Sequence, residues 1–350
     1  MSLNYTEFFK DKTILIPGGT GSIGSETVKQ LLTYDVKAIR ILSNSENELW
    51  ETQQKFIKYD EKLRFLLGDI RNYDRVKRAM TGVDYVFNAA AIKHVPLSEY
   101  NPMEAVRVNI LGLENIIQAA ANSNVKKLIQ ISTDKSINPS TVMGATKMIG
   151  ERLSISRQLT IGMDKMIISC VRFGNVLGSR GSIIPLIKDQ ISKRMYVTLT
   201  HEAMKRFFMT IPQAVGLILK AITLSRGGEI FVLKMPILVI KDLIEVIIEE
   251  YAPRIGKNPQ DIEIKIIGPR AHEKFDEELI ALQEFSVCYE MEDMYIIYPS
   301  PIFSVDPKYT VLNTNGTKII KDENFKYSTE CGEPVSKEYL KKYLIENNLI

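Results

Sequence analysis

Lys12-Thr13-Ile14-Leu15-Ile16-Pro17 runs without interruption into Gly18-Gly19-Thr20-Gly21-Ser22-Ile23-Gly24, and residues 25–32 then take on helical spacing. An apolar strand that empties into a glycine-rich turn and a helix is the setting in which backbone amides and a helix N-terminus hold a pyrophosphate. Gly18 allows the tight turn, Gly21 the close approach of backbone to phosphate, and Gly24 the packing of helix on strand, with Thr20, Ser22 and Ile23 lining the same turn. The stretch predicts a dinucleotide site at the first strand-to-helix turn of a parallel sheet.

The next strands support that reading. Residues 38–42 end at Ser43-Asn44-Ser45-Glu46, where this fold reads the cofactor ribose: an acidic side chain suits NAD and a basic one the 2′-phosphate of NADP. Ser43, Asn44 and Ser45 do not repel a phosphate and can donate to one, so NADP is expected, with NAD the reading if Glu46 reaches the ribose. Residues 64–67 end before Asp69 and Ile70, a position suited to adenine contact. Residues 85–88 end in Ala89-Ala90-Ala91, whose small side chains let backbone approach a cofactor. Lys93 and His94 follow in the loop expected over it; Lys93 offers a cation to pyrophosphate or substrate, and His94 reads equally as a structural loop residue. Asn109, inside a helical pattern, needs a hydrogen bond if it faces the sheet. Strands alternating with helices predict an α/β, Rossmann-like, doubly wound parallel sheet with a smaller α/β substrate lobe.

A further apolar strand, residues 125–131, closes on Ser132-Thr133-Asp134-Lys135 at the carboxyl edge of such a sheet, where ligands bind. Asp134 offers an acid, Lys135 a base and Thr133 a hydroxyl; Lys147, four residues after Met143, falls on the opening turn of the next helix.

The chain has 350 residues, enough for two lobes around a large core, and its formal net charge of +3 argues against a dedicated nucleic-acid protein. No apolar run reaches the length of a membrane span and Met1-Ser2-Leu3-Asn4-Tyr5 lacks signal-peptide character, so a cytoplasmic protein without a membrane span is expected. Cys170, Cys288 and Cys331 are far apart without ligand spacing, so free thiols and no metal site are expected.

Gly18-x-x-Gly21-x-x-Gly24, Asn88-Ala89-Ala90-Ala91, Lys93-His94-Val95-Pro96, Ser132-Thr133-Asp134-Lys135, Asn138-Pro139, Met143-Gly144-Ala145-Thr146-Lys147 and Arg172-Phe173-Gly174-Asn175-Val176 together resemble the extended short-chain dehydrogenase/reductase family. With Gly181-Ser182-Ile183-Ile184-Pro185 and Gly268-Pro269-Arg270-Ala271-His272-Glu273-Lys274, the chain resembles more closely that family's 4,6-dehydratases of UDP-N-acetylglucosamine, over roughly residues 10–300. The resemblance implies hydride transfer from C4 of the sugar to the cofactor, loss of water across C5 and C6, and hydride return to C6. It implies Lys135 as base for the C5 proton, Asp134 as acid for the C6 hydroxyl and Lys147 on the nicotinamide ribose. Lys135 must then give up a proton and Asp134 carry one, in a buried site where the two share protons.

Met143 stands where the wider family has tyrosine, as in a methionine-bearing branch of the dehydratases, which leaves Thr133, through water or with Lys147, to deprotonate the 4-hydroxyl. Asn44 stands where NADP-using relatives often carry arginine, and His272 where relatives usually show glycine. By the same resemblance Asn175, Gly181 and Ser182 meet the nucleotide diphosphate, Arg206 and Arg270 its phosphates, and Glu273 the uridine ribose. A 4-epimerase on the same UDP-sugar and a non-catalytic NADP-binding sensor are the alternative readings. Residues 1–175, rejoined by 207–235, are expected to form the cofactor domain, and 176–206 with 236–300 the nucleotide-sugar lobe. Residues 301–350, with a final helix near 337–346, form a candidate subunit contact in a homo-oligomer.

Overall fold

The computed structural model describes residues 4–162, 165–269, 272–299, 318–319 and 325–350. Strand β1 (Thr13–Pro17) is flanked by β2 (Ala38–Ser43) and β4 (Tyr85–Asn88), with β3 (Leu63–Leu67), β5 (Lys127–Ile131) and β6 (Ile167–Arg172) outside them. The smaller lobe contains β7 (Asn175–Leu177), β8 (Tyr196–Leu199), β9 (Lys205–Thr210), β11 (Ile237–Val239) and β12 (Glu263–Ile266), while β10 (Ile230–Leu233) returns to the large sheet. Last come β13 (Cys288–Glu290), β14 (Met294–Ile297) and β15 (Lys318–Ile319).

The large sheet runs β3-β2-β1-β4-β5-β6-β10 in parallel, the doubly wound order expected from the sequence. Chain direction across the sheet reverses between β1 and β4, which opens a crevice at their carboxyl ends. Alternate residues of β1 serve opposite faces: Ile14 and Ile16 enter one core, and Leu15 enters the other with Leu42, Val86 and Leu128. A strand buried on both sides is apolar at nearly every position, which is why these strands read as unbroken runs.

Two features depart from the sequence reading. Antiparallel β14, β13 and β15 extend the sheet beyond β10; strands this short, interrupted by charged residues such as Glu290, carry little periodic signal. The helix after the glycine turn, Ser22–Leu31, starts inside the glycine run, because its first turn packs small residues and so lacks apolar spacing. The final helix, Lys337–Glu346, buries Leu340 and Leu344 in the smaller lobe's own core, against Leu243 and Ile247 of the helix Ile240–Tyr251.

Arg172, at the end of β6, is 2 % exposed and spans three parts of the chain. Its guanidinium pairs with Glu151 of the helix Val142–Ile161 at 2.7 Å and with Glu284 at 2.9 Å, and donates to the Leu279 carbonyl at 2.9 Å. Removing the cation leaves two buried carboxylates facing each other. Arg172→Met is therefore expected to lower stability by about 3–5 kcal/mol, read as a drop in the urea midpoint.

Candidate active site

The glycine turn and the end of β4 meet in the crevice. Gly18 has φ +73°, and a Cβ there would lie 2.6 Å from the Ala90 nitrogen; a Cβ on Gly24 would lie 2.3 Å from the Gly18 carbonyl oxygen. No side chain larger than hydrogen fits either position, and Gly21 heads the helix Ser22–Leu31 without a side-chain cap, leaving its first amides open to a ligand. A dinucleotide pyrophosphate fits this cradle by shape and by dipole.

At the ribose end the structure brings forward a residue that the sequence reading passed over. The Thr20 hydroxyl lies 3.1 Å from Ser43 Oγ and 2.6 Å from Glu48 Oε2. Glu46 lies in the first turn of the helix Glu46–Lys55, which Ser45 caps by accepting from the Glu48 amide; the carboxylate that reaches the turn is therefore Glu48. Asn44 bonds to Asp69, whose carboxyl the Arg71 guanidinium, 2.7 Å away, holds below the usual carboxylate range. An open groove of about 530 Å³, lined by Asp69, Arg71 and Tyr73 among others, lies alongside. Ile70 is buried, packed so that a Cβ on Gly112 would meet its Cδ1 at 2.7 Å.

Asn109 sits in a π-helical turn, Arg107–Gly112, and its amide is fully engaged: Oδ1 accepts from the Ile92 N–H at 2.8 Å, and Nδ2 donates to the Ile92 carbonyl at 3.0 Å and to Thr146 Oγ1 at 2.9 Å. It fixes the loop carrying Ala89, Ala90 and Lys93 to the helix Val142–Ile161.

The loop at 178–182 crosses from the smaller lobe to the cradle. Arg180 donates from Nη2 to the Thr20 carbonyl at 2.7 Å and from Nη1 to Glu48 Oε1 at 2.9 Å, and its backbone N–H donates to Ser22 Oγ at 3.0 Å. Lys93 Nζ donates to the Arg180 carbonyl at 2.6 Å, and burial lowers its pKa. Gly181 has φ +70° and packs on His94, where a Cβ would meet the ring Cε1 at 2.5 Å; this contact gives His94 its structural role. Ser182 heads the helix Ile183–Lys193, and its Oγ is without a hydrogen-bond partner among the described residues.

The acid–base cluster closes the crevice at the end of β5. Asp134 is fully buried, and its Oδ1 accepts from the Thr133 hydroxyl at 2.7 Å, the Lys135 N–H at 2.9 Å and Lys135 Nζ at 3.0 Å. One oxygen is thus saturated and the other, Oδ2, is buried without a partner among the described residues.

Lys135 Nζ also lies 3.4 Å from Asn175 Oδ1 and 3.4 Å from Glu277 Oε1. Burial alone would lower the Lys135 pKa, but the Asp134 and Glu277 carboxylates outweigh it and raise it, which holds the ammonium rather than the free amine that a base requires. The Lys135 carbonyl would sit 2.3 Å from a Cβ on Gly144, so the turn at 134–136 rests directly on the first turn of the helix Val142–Ile161. In that turn Met143 is buried, and Lys147 Nζ donates to the Ile131 carbonyl at 3.0 Å, with burial bringing its pKa down to about 8.

Of the residues expected on the nucleotide, Arg206 is buried, not on the surface. It donates to the Phe275 and Lys205 carbonyls at 2.7 Å and to the Lys274 carbonyl at 2.8 Å, with Glu273 3.9 Å away, so its fork holds the 274–275 backbone. His272 has φ +64°, the left-handed backbone that glycine favours. Arg270 lies outside the described residues. Glu48, Arg180 and Glu277, which the sequence reading did not single out, stand in contact with the candidate site residues Thr20, Ser22 and Lys135. The acidic run Asp276-Glu277-Glu278 reads as a solvated face, and only the fold turns Glu277 inward.

The family model described as "Polysaccharide biosynthesis protein" matches residues 14–299. A chain of Methanocaldococcus jannaschii, named as an uncharacterized membrane protein, is 52% identical over 346 residues, 99% of each chain. Among the described residues here, no helix is long and apolar enough to cross a membrane. A UDP-glucose 4-epimerase of Rickettsia felis is 38% identical over 90% of this chain and 91% of its own. The X-ray structure of Pen from Bacillus thuringiensis superimposes with a TM-score of 0.89 at 41% identity, covering 98% of this chain and 99% of that one. With the match spanning both lobes and the crevice between them, the chain belongs to the polysaccharide biosynthesis protein family.

Proposed function

We propose that this chain is a nucleotide-sugar 4,6-dehydratase acting on UDP-N-acetylglucosamine with a nicotinamide dinucleotide. The observation that carries the reading is the Asp134–Lys135 pair at the carboxyl edge of β5, with one carboxylate oxygen saturated by three donors and the other bare. A 4-epimerase needs only hydride exchange at C4 and has no use for an acid and a base side by side.

A nicotinamide dinucleotide would be held by Gly18, Gly21, Gly24 and their neighbours, and when bound would supply reversible hydride acceptance at C4 and donation at C6. The remaining steps are proton transfers by the chain. Thr133, bonded to Asp134, passes the 4-hydroxyl proton towards that carboxylate. Oxidation at C4 acidifies the C5 proton, and Lys135 removes it. The proton received through Thr133 passes from Asp134 Oδ2, the oxygen without a partner among the described residues, to the departing C6 hydroxyl. Asn175 steadies Lys135 from the smaller lobe, while Lys93, Gly181 and Ser182 are assigned to the diphosphate and Glu273 to the uridine ribose. Burial of the cluster excludes water that would otherwise compete for these protons.

The ribose end weighs against the NADP expectation. Glu48, rather than Glu46, stands beside Thr20 and Ser43, and a carboxylate there accepts ribose hydroxyls and repels a 2′-phosphate, which favours NAD. Calorimetric titration is expected to give an affinity for NAD roughly ten-fold or more above that for NADP, with Glu48→Gln narrowing the gap.

The charge on Lys147 sets a pH limit. Its pKa lies near 8, so the ammonium that grips the nicotinamide ribose is lost as pH rises through about 8. kcat/KM is expected to fall above that pH, and in Lys147→Arg, which stays charged, the limb should disappear. For the reaction itself, incubation with UDP-N-acetylglucosamine and no reductant should give a product lighter by one water. An unchanged mass with an inverted C4 would establish the epimerase suggested by the Rickettsia relative, and an untouched substrate the sensor.

A further inference from the structure

Lys135 is flanked by two carboxylates, and only Asp134 has a part in the elimination as derived above. Glu277 is the other, 3 % exposed, its Oε1 3.4 Å from Lys135 Nζ and 3.8 Å from Arg206 Nε. Its Oε2 is buried and without a hydrogen-bond partner among the described residues. The backbone holds it there from both sides: the Glu277 N–H donates to Thr329 Oγ1 at 2.9 Å, and its carbonyl accepts from the Thr329 N–H at 2.9 Å. A half-satisfied carboxylate costs a fold stability unless the site uses it. Burial pushes the Glu277 carboxyl up from its ordinary range and Asp134 adds to this, while Lys135, Arg206 and Lys274 pull it back. Glu278 turns away to Asn138, at 2.8 Å.

We propose that Glu277 is the group that takes the proton from Lys135 and so frees the amine for C5, an assignment that rests on the dehydratase reading. The proton moves from Lys135 Nζ to Glu277 Oε1, turning an ammonium–carboxylate pair into a neutral amine and a neutral acid. The amine then takes the C5 proton, the C5–H electron pair becomes the C5–C6 double bond, the C6–O bond breaks, and the hydroxyl leaves as water with the Asp134 proton. When Lys135 returns a proton to C5, Glu277 gives its own back to the amine, and the pair is reset. Asp134 cannot fill this role: its Oδ1 already accepts three donors and its Oδ2 must supply the leaving hydroxyl. Glu277 thus acts through Lys135, as a positioning and proton-holding residue.

The test uses the full chain and Glu277→Gln, with Glu277→Asp as the variant that keeps the charge if the amide fails to fold. Lys135 is 29 % exposed in its side chain, so its titration can be followed by pulsed acylation of amines and mass mapping, without substrate. Its midpoint should fall by about one pH unit or more in Glu277→Gln and stay near the wild-type value in Glu277→Asp. With UDP-N-acetylglucosamine in deuterated buffer, Glu277→Gln should incorporate C5 deuterium roughly ten-fold or more slowly at pH 7, with KM little changed, and recover as pH rises from about 6 to 8 because solvent then discharges Lys135. An unmoved Lys135 midpoint, or a loss of equal size at every pH, overturns the proposal. Failure of the wild type to release water sinks the dehydratase reading instead, and the acylation midpoint still decides whether Glu277 controls the charge on Lys135.

Discussion

One buried guanidinium holds the reactive cluster together. Arg172 ends β6, and the residues just after it serve the site directly: the Phe173 carbonyl accepts the Asp134 N–H at 3.1 Å, and Asn175 touches Lys135. On one side Arg172 grips Glu151, which accepts from Ser136 Oγ at 2.8 Å and so steadies the turn that carries Asp134 and Lys135. On the other it grips Glu284 and the Leu279 carbonyl, anchoring the segment that carries Glu277. A guanidinium suits this post because its planar fork serves two carboxylates at once and does not lose its charge when buried.

The acid–base cluster is then a balance of charge, not a set of separate groups. Asp134 pairs with Lys135 at 3.0 Å, Lys135 with Glu277 at 3.4 Å and Glu277 with Arg206 at 3.8 Å, a chain of carboxylates alternating with cations. In such a setting the pKa of each group belongs to the set, so a proton that moves between Lys135 and Glu277 changes no net charge. A lysine held as ammonium in the free protein is compatible with its becoming a base once a neighbour can accept its proton.

Much of this was legible in the residues. The glycine turn declared its strand, its helix and its ligand class because backbone geometry at Gly18 and Gly24 tolerates no side chain, a constraint that shows in composition. The position of Thr133-Asp134-Lys135 at the carboxyl end of β5 was legible because the run follows a buried apolar strand. What stayed hidden depends on side chains far apart in the chain: Glu48 with Arg180 at 2.9 Å, Lys135 with Glu277 at 3.4 Å. A glutamate on a helix or in an acidic run has the same local signature whether it faces water or a buried lysine, and only the register of the packed elements decides which. The antiparallel edge escaped for a related reason, since β13 and β14 are too short for alternation to rise above chance.

The loop at 178–182 ties the two lobes through Arg180 and Lys93, and the ion pair in that tie, Arg180 with Glu48, lies on the surface with 56 % and 38 % of the side chains exposed. Exposed pairs contribute about 1 kcal/mol or less and weaken as dissolved ions crowd around them. The buried anchors of the turn that carries Asp134 and Lys135 feel no such competition. Ionic strength therefore acts on the mouth of the crevice and leaves its floor alone: in brine the strap loosens, while the buried ion pairs beneath hold their geometry.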